Sequence, residues 1–510
     1  MKIYWCDWIR LYLFDFYAMT APIVNPLPYD KTSPGSILEY AQFLKWKTFW
    51  EVLDKDPNLK EEQKEKIRKV YDVPQKRKSR YWDFIQENFF YIDRNSKSEA
   101  DLNEAWVELK VSPYTINKVW KNKWKLSAWE RLSLTMIDYE HVWENSYEES
   151  HLLDKCALML LVFYLRDENK VDKDYFINYV DLFQFPKEDI EIIKQDYNFI
   201  IEKIKAGKAH ELSEWDTRYL WACTKWQNAS KLKKQPFSSI KAKSRWFSLK
   251  QSYMSFILNK YIATWNKTYE LSVIIDGKLD KLKTKIETYW RVIKDIGVLK
   301  NISFEDYIIS KMEPYYWMDA DDLLKKFWID STAKSNYYML AKKMLWVDED
   351  KIEEFEKANI QIKTIRLKSN WVPKEAMSFP TFKYMDIVKQ DYYDSELYEK
   401  LSEDKFLFMV FEFTDKKEIK LRFKKAMFWH TPWEDLEWKI KTAWNETKSR
   451  IMLWEYNDLV KISDDLIIHV RPHARNANDT YQTPNWWQAT KKCFWFNQKY
   501  IKEQIEKGGN

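Results

Sequence analysis

The chain has 510 residues, 45% hydrophobic and 32% charged, with 84 Lys and Arg against 78 Asp and Glu for a net charge of +6. That length exceeds a single core, so two or three domains are expected, and no apolar run approaches a membrane span. The mildly basic balance permits a nucleic-acid partner without demanding one. Asp7 and Asp15 interrupt the opening apolar residues, which makes a poor signal peptide, and Met19 is an alternative start. The four cysteines (Cys6, Cys156, Cys223, Cys493) form no CxxC pair. They point to a reducing cytoplasm and away from a structural zinc site.

Glycine and tryptophan are out of proportion. There are 28 Trp and 6 Gly, where ordinary usage of roughly 7% Gly would place about 36 glycines in a chain this long. Tryptophans also stand in glycine-like contexts. Asn370-Trp371 has the form of an Asn-Gly turn, and Asn485-Trp486-Trp487 lies in a loop-like stretch. A cell that decodes UGA as glycine would leave this signature in a chain translated with the standard code. No stacking surface is therefore built on these indoles.

In chain order, residues 36–72 read as helical, with a charged amphipathic run over Asn58–Val70. The basic cluster Lys76-Arg77-Lys78 and Arg80 comes next, then a helix over Tyr81–Phe90. Strands are expected at Val107–Val111 and in the apolar run Ala157–Leu165, and a helix at Glu188–Ala206. Residues 266–300 are polar and Lys-rich, a linker with helical character. From 301 to 510 the order of elements repeats. Trp46–Trp50 parallels Trp317–Trp328, Ala157–Leu165 parallels Lys405–Phe413, and Asn103–Lys110 (NEAWVELK) parallels Glu356–Lys363 (EKANIQIK). Two copies of one α/β domain are expected, at 30–265 and 301–510.

The string Asp101-Leu-Asn-Glu-Ala-Trp-Val-Glu108-Leu-Lys110 carries the chemistry. Side chains alternate along a strand, so Glu108 and Lys110 share one face while Val107, Leu109 and Val111 take the other. Asp101, placed before a turn, bends back beside Glu108. Two carboxylates suit a hard divalent cation, and an ammonium beside them suits charge building on a phosphate. Such a spacing arises by chance on the order of once in a chain so charged, and a solvated strand face would carry the same string. The six histidines show neither triad nor metal spacing.

The surroundings are more specific. Val107–Tyr114, Glu130-Arg131-Leu132, Ser150-His151 with Lys155, Gly207–His210, Ser213–Thr217, Leu220–Lys225 and Phe247–Tyr253 resemble the MutH-like type II restriction endonucleases. In the second half, Ile365-Arg366-Leu367, Met377–Pro380 and His469–Ala477 resemble the two-domain members. The resemblance runs from about residue 30 to 505, and Trp82, Trp106 and Trp221 stand where the family has glycine. It implies an α/β fold of two tandem restriction-endonuclease-like domains, each a central mixed sheet flanked by helices. It also implies a Mg²⁺-dependent nuclease cutting double-stranded DNA at GATC or a relative of it.

By position, Asp101, Glu108 and Lys110 would be catalytic. Asp101 and Glu108 would hold the metal, with Glu87 if it replaces the family's helical glutamate, which falls on Gln86 without gaps; Ala100 stands for the usual proline. Lys155, Lys225 and Lys250 match positions placed against DNA. Arg471, with His473 and Arg475 nearby, falls where a relative reaches bases, and arginine suits guanine; the first copy has Cys223-Thr224 there. In the second copy the catalytic positions become Glu354, Gln361 and Lys363, and neutral Gln361 implies binding without cutting. Cleaving both strands would take two chains on the DNA, a dimer, or sequential nicking. A cognate DNA methyltransferase is the expected genetic partner, and no membrane is involved. A strand-nicking repair enzyme and a DNA-binding regulator with a vestigial site are the competing readings.

Overall fold

A computed structural model describes residues 26–72, 80–93, 99–116, 126–167, 174–213, 216–224, 232–263, 290–333, 335–347 and 351–508. These residues form two compact units. The first takes the described residues up to Ile190, Ile201–His210 and those from Cys223 to 263. The second takes Glu191–Ile200, Glu211–Ala222 and the described residues from 290 onward. Two short segments inside the stretch 30–265 therefore pack with the second unit. Among the described residues no helix is long and apolar enough to cross a membrane.

The first unit is organised by a five-stranded mixed sheet. Its strands are β1 (Lys47–Thr48), β2 (Glu108–Ile116), β3 (Leu126–Ala128), β4 (Met159–Leu165) and β5 (Phe176–Phe183), in the spatial order β1-β5-β4-β2-β3. β4, MLLVFYL, is apolar throughout and buried on both faces, so it takes the middle of the sheet. β2 lies parallel to it, with Glu108 opposite Met159, and β5 lies antiparallel on its other side. A parallel partner cannot be reached by a tight turn, so the chain crosses over through the helix His151–Cys156 before entering β4. Val107 and Leu109 pack with Leu160, Val162 and Phe84 in one core cluster, with Val111 partly buried against it. That confirms the alternation read from the string.

The helical stretch 36–72 is three helices rather than one, Pro34–Ala41, Phe49–Asp54 and Glu61–Asp72, with β1 between the first two. The break has a local cause: Thr48 and Glu51 form a reciprocal capping box that starts a new helix at Phe49. The helices expected at Tyr81–Phe90 and Glu188–Ala206 are Arg80–Asn88 and Lys187–Lys205. Most of the expected linker lies outside the described residues. Its end, Ile296–Lys300, is a short 3₁₀ helix that starts with the Asp295 side chain accepting from Gly297 N–H.

The second unit repeats the arrangement. β6 (Ile360–Leu367) runs parallel to β7 (Lys405–Phe413), which is buried along its whole length, and β8 (Leu421–Trp429) runs antiparallel to β7. In both units, the strand carrying the candidate residues thus lies parallel to the most apolar strand. A second sheet joins Met377–Phe382, Lys492–Phe496 and β9 (Ile468–Pro472), all antiparallel. Two mixed-sheet α/β domains in tandem are what the repeat required.

Candidate active site

Asp101 and Glu108 flank a tight hairpin. Leu102 and Val107 exchange both backbone hydrogen bonds, at 2.9 and 3.2 Å, around the 3₁₀ turn Asn103–Ala105, and Trp106 closes it with a left-handed φ of 54°. This returns Asp101 to the start of β2. Glu108 Oε2 accepts from Asp101 N–H at 3.2 Å, and Asp101 Oδ2 accepts from Leu109 N–H at 3.2 Å. Both carboxylates are buried, at 7% and 3% exposure.

Two ammonium groups meet on Glu108. Lys110 Nζ is 2.8 Å from Oε1, and Lys155 Nζ is 3.0 Å from Oε2 while also donating to the Glu99 carbonyl. The resemblance places Lys155 on the DNA surface. In the structure it is 9% exposed and pairs with Glu108. Its helix, His151–Cys156, begins with Ser150 accepting from Leu153 N–H, and that cap sets the lysine one crossover ahead of β4, beside β2. Pairing is what lets four ionisable groups share so little water.

Burial, and next the Glu108 charge, push the Asp101 carboxyl up to about 6 in spite of the two lysines. A folded value above the unfolded one favours the neutral acid. The contribution of Asp101 to stability is therefore fully present below about pH 4 and lost as pH rises through 6. In metal-free protein the melting midpoint is expected to fall over that window more steeply than in Asp101→Asn, which cannot ionise. Parallel pH curves for the two proteins would remove Asp101 from the titrating groups.

Among the described residues no three His, Cys, Asp or Glu side chains gather as a metal-binding group, and Glu87 is buried in the helix Arg80–Asn88. Gln86 and Glu87 are neighbours in that helix, so their side chains leave it about 100° apart. Gln86 is fully buried, and neither its Oε1 nor its Nε2 has a hydrogen-bond partner among the described residues. Together with the Asp101 and Glu108 carboxylates, an orphaned buried amide oxygen would make an all-oxygen donor set of the kind a hard divalent cation takes. The residues fit a magnesium ion.

The second copy has lost this arrangement. Gln361, in the position of Glu108, donates to Asp404 Oδ2 at 2.9 Å, and Asn359 donates to Oδ1 at 2.8 Å. Lys400 also pairs with Asp404. Lys400 follows its cap Ser395 by five residues, as Lys155 follows Ser150. Burial, then Lys400, hold the Lys363 ammonium below its ordinary value. Glu354 faces elsewhere: its oxygens accept from Val292 and Ile293 N–H at 3.2 and 3.1 Å. One carboxylate, with both oxygens engaged by amides, replaces the pair.

Arg471, His473 and Arg475 are exposed at and just beyond the end of β9. Arg471 and His473 lie within about two residues of each other along this exposed strand end. Lys250 is buried at the N-cap of the helix Gln251–Ile257. Lys225 lies outside the described residues. Sequence reasoning missed Lys155 as a partner of Glu108, and Asp404 altogether. The matching Ser150–Lys155 and Ser395–Lys400 spacings were the available signal.

The family model for the DNA mismatch repair enzyme MutH matches residues 90–196 and 346–442. Each matched segment contains one of the two parallel strand pairs. The chain is also 36% identical over 472 residues to the type II restriction enzyme Sau3AI of Staphylococcus aureus, covering 82% of this chain and 91% of that protein.

Proposed function

Since the chain belongs to the MutH-like type II restriction endonucleases, we propose that its first unit cuts double-stranded DNA at GATC-like sites with Mg²⁺, while its second unit binds DNA without cutting. The contrast between the two pockets supports this reading. One holds two adjacent carboxylates with two lysines, and the other a single carboxylate already engaged by Asn359 and Gln361.

Asp101 and Glu108 would hold the ion, together with the Gln86 amide oxygen. Bound there, Mg²⁺ supplies an activated water and neutralises charge on the phosphate. Lys110 is placed to stabilise the attacking oxygen and the charge that develops on the phosphoryl group. Lys155, tied to the Glu99 carbonyl, holds Glu108 in place from the other side. Two chains on the DNA would deliver both strand cuts.

Incubation with a GATC-containing plasmid, with Mg²⁺ or with EDTA, tests the reading. Double-strand breaks at GATC that EDTA abolishes are expected. Nicks alone would favour a repair-type enzyme, and specific binding without cleavage a regulator. For the second unit, Arg471→Ala is expected to weaken specific DNA binding by about 1–3 kcal/mol, roughly 5- to 150-fold, with a smaller loss on non-specific DNA. Equal losses on both DNAs in a competition binding assay would reduce Arg471 to a phosphate contact.

A further inference from the structure

We infer that eight of the tryptophans, at positions 46, 106, 317, 328, 346, 371, 454 and 486, are glycine in the protein as its own cell makes it, decoded from UGA. All eight have φ between 54° and 70°, a region that bulky side chains rarely adopt. Thirteen non-glycine residues among those described have positive φ, and tryptophan accounts for eight of them. The other aromatics serve as an internal control. The chain has 32 Tyr and 28 Phe against 28 Trp, yet Tyr and Phe contribute one residue each, Tyr91 and Phe237. Aromaticity therefore does not explain the bias. All eight indoles are exposed, Trp328 to 95%, so burial does not hold them there either.

The hydrogen bonds identify the motifs. Gly207, a true glycine, ends its helix with its own N–H on Ile204 O and the next N–H on Lys203 O. Trp328 repeats this pattern with Lys325 and Leu324, Trp346 with Lys343 and Lys342, and Trp454 with Ile451 and Arg450. These are Schellman caps, where glycine is the usual residue. At Gly207 an added Cβ would lie 2.7 Å from the Phe237 carbonyl oxygen, so this cap has no room for a side chain.

Trp371 and Trp486 share a second motif. Each follows an asparagine, and each donates to a carbonyl three residues back, Lys368 and Thr483, whose own N–H groups reach the carbonyls of Val372 and Trp487. That is a type I turn closed by a residue in the left-handed region, a glycine position. Trp46 and Trp317 occupy corresponding points of the repeat, donating to Ile177 and Phe423 on neighbouring strands. Trp106 aligns with Asn359 of the second copy, whose φ is also 54°. Asparagine is the residue that best tolerates this conformation after glycine, and here it fills the position that Trp106 has before Glu108.

Peptide mass spectrometry of the protein purified from its native cells tests the inference. Glycine masses at these eight positions, with UGA in the gene, are expected. Tryptophan masses, or UGG codons, at most of them would overturn it. A second comparison needs no native cells. The chain as written and a variant carrying W46G, W106G, W317G, W328G, W346G, W371G, W454G and W486G would be expressed side by side. The glycine variant is expected to melt higher by on the order of 10 °C or more. An unchanged or lower midpoint would contradict the assignment.

Discussion

Glu108→Gln is expected to lower plasmid cleavage by on the order of 10³-fold or more, with specific DNA binding kept within a few-fold of wild type. The substitution keeps the shape of the side chain. Its amide oxygen can still accept from one lysine, so the hairpin Leu102–Val107 and the helix His151–Cys156 retain their geometry. What disappears is the one charge that touches Asp101, Lys110 and Lys155 together. The substituted pocket would hold a single carboxylate against two ammonium groups, an electropositive site that repels a divalent cation. The second unit already carries Gln361 at the same strand position, with its amide turned to Asp404. Circular dichroism and binding controls separate loss of chemistry from loss of fold. Cleavage within about tenfold of wild type would exclude Glu108 as a metal ligand.

The largest stability effect is expected at Asp196. This residue lies in the helix Lys187–Lys205 and is fully buried. Its carboxylate accepts from the N–H groups of Arg218, Tyr219 and Leu220 at 2.8, 2.7 and 3.0 Å, holding the chain as it enters the strand Leu220–Thr224. Burial raises its carboxyl, opposed first by the Arg218 charge and then by these donors. Arg218 also binds Glu305 through Nε at 2.9 Å, and Glu305 binds Lys405 at 2.7 Å. Asp196→Ala would orphan three N–H groups and strip a buried guanidinium of one partner, a cost of about 3–5 kcal/mol. At about 2–4 °C per kcal/mol for a unit of this size, the midpoint falls by roughly 10 °C. A drop of less than about 2 °C would mean that water or a backbone shift satisfies those groups.

Much of the site was legible because its signals are local. Alternation along a strand is a property of the backbone, so Glu108 and Lys110 on one face and Val107 and Leu109 in the core followed from the string alone. The return of Asp101 needed only a six-residue turn, Leu102 to Val107. The repeat was legible for a similar reason: an apolar run such as Met159–Leu165 or Lys405–Phe413 has few places to go except the middle of a sheet. The missing charge at Gln361, which aligns with Glu108 in the repeat, was likewise visible in the string.

Partners that meet through the parallel register were not legible. Lys155 reaches Glu108 across 47 residues because Met159 pairs with Glu108, and Asp404 reaches Gln361 across 43 by the equivalent crossover. A lysine near the end of an amphipathic helix reads as surface charge until that pairing exists. Glu354 shows the converse, since its spacing is right and its carboxylate is spent on Val292 and Ile293. The excess of tryptophan was visible in composition and turn context picked out Trp371 and Trp486, but backbone φ was needed to add Trp46, Trp317, Trp328, Trp346 and Trp454, because handedness is set by the turn the chain closes. The sequence by itself determined the chemistry available and the strand face that presents it. Tertiary structure decided which charges face one another, because long-range register has no local code.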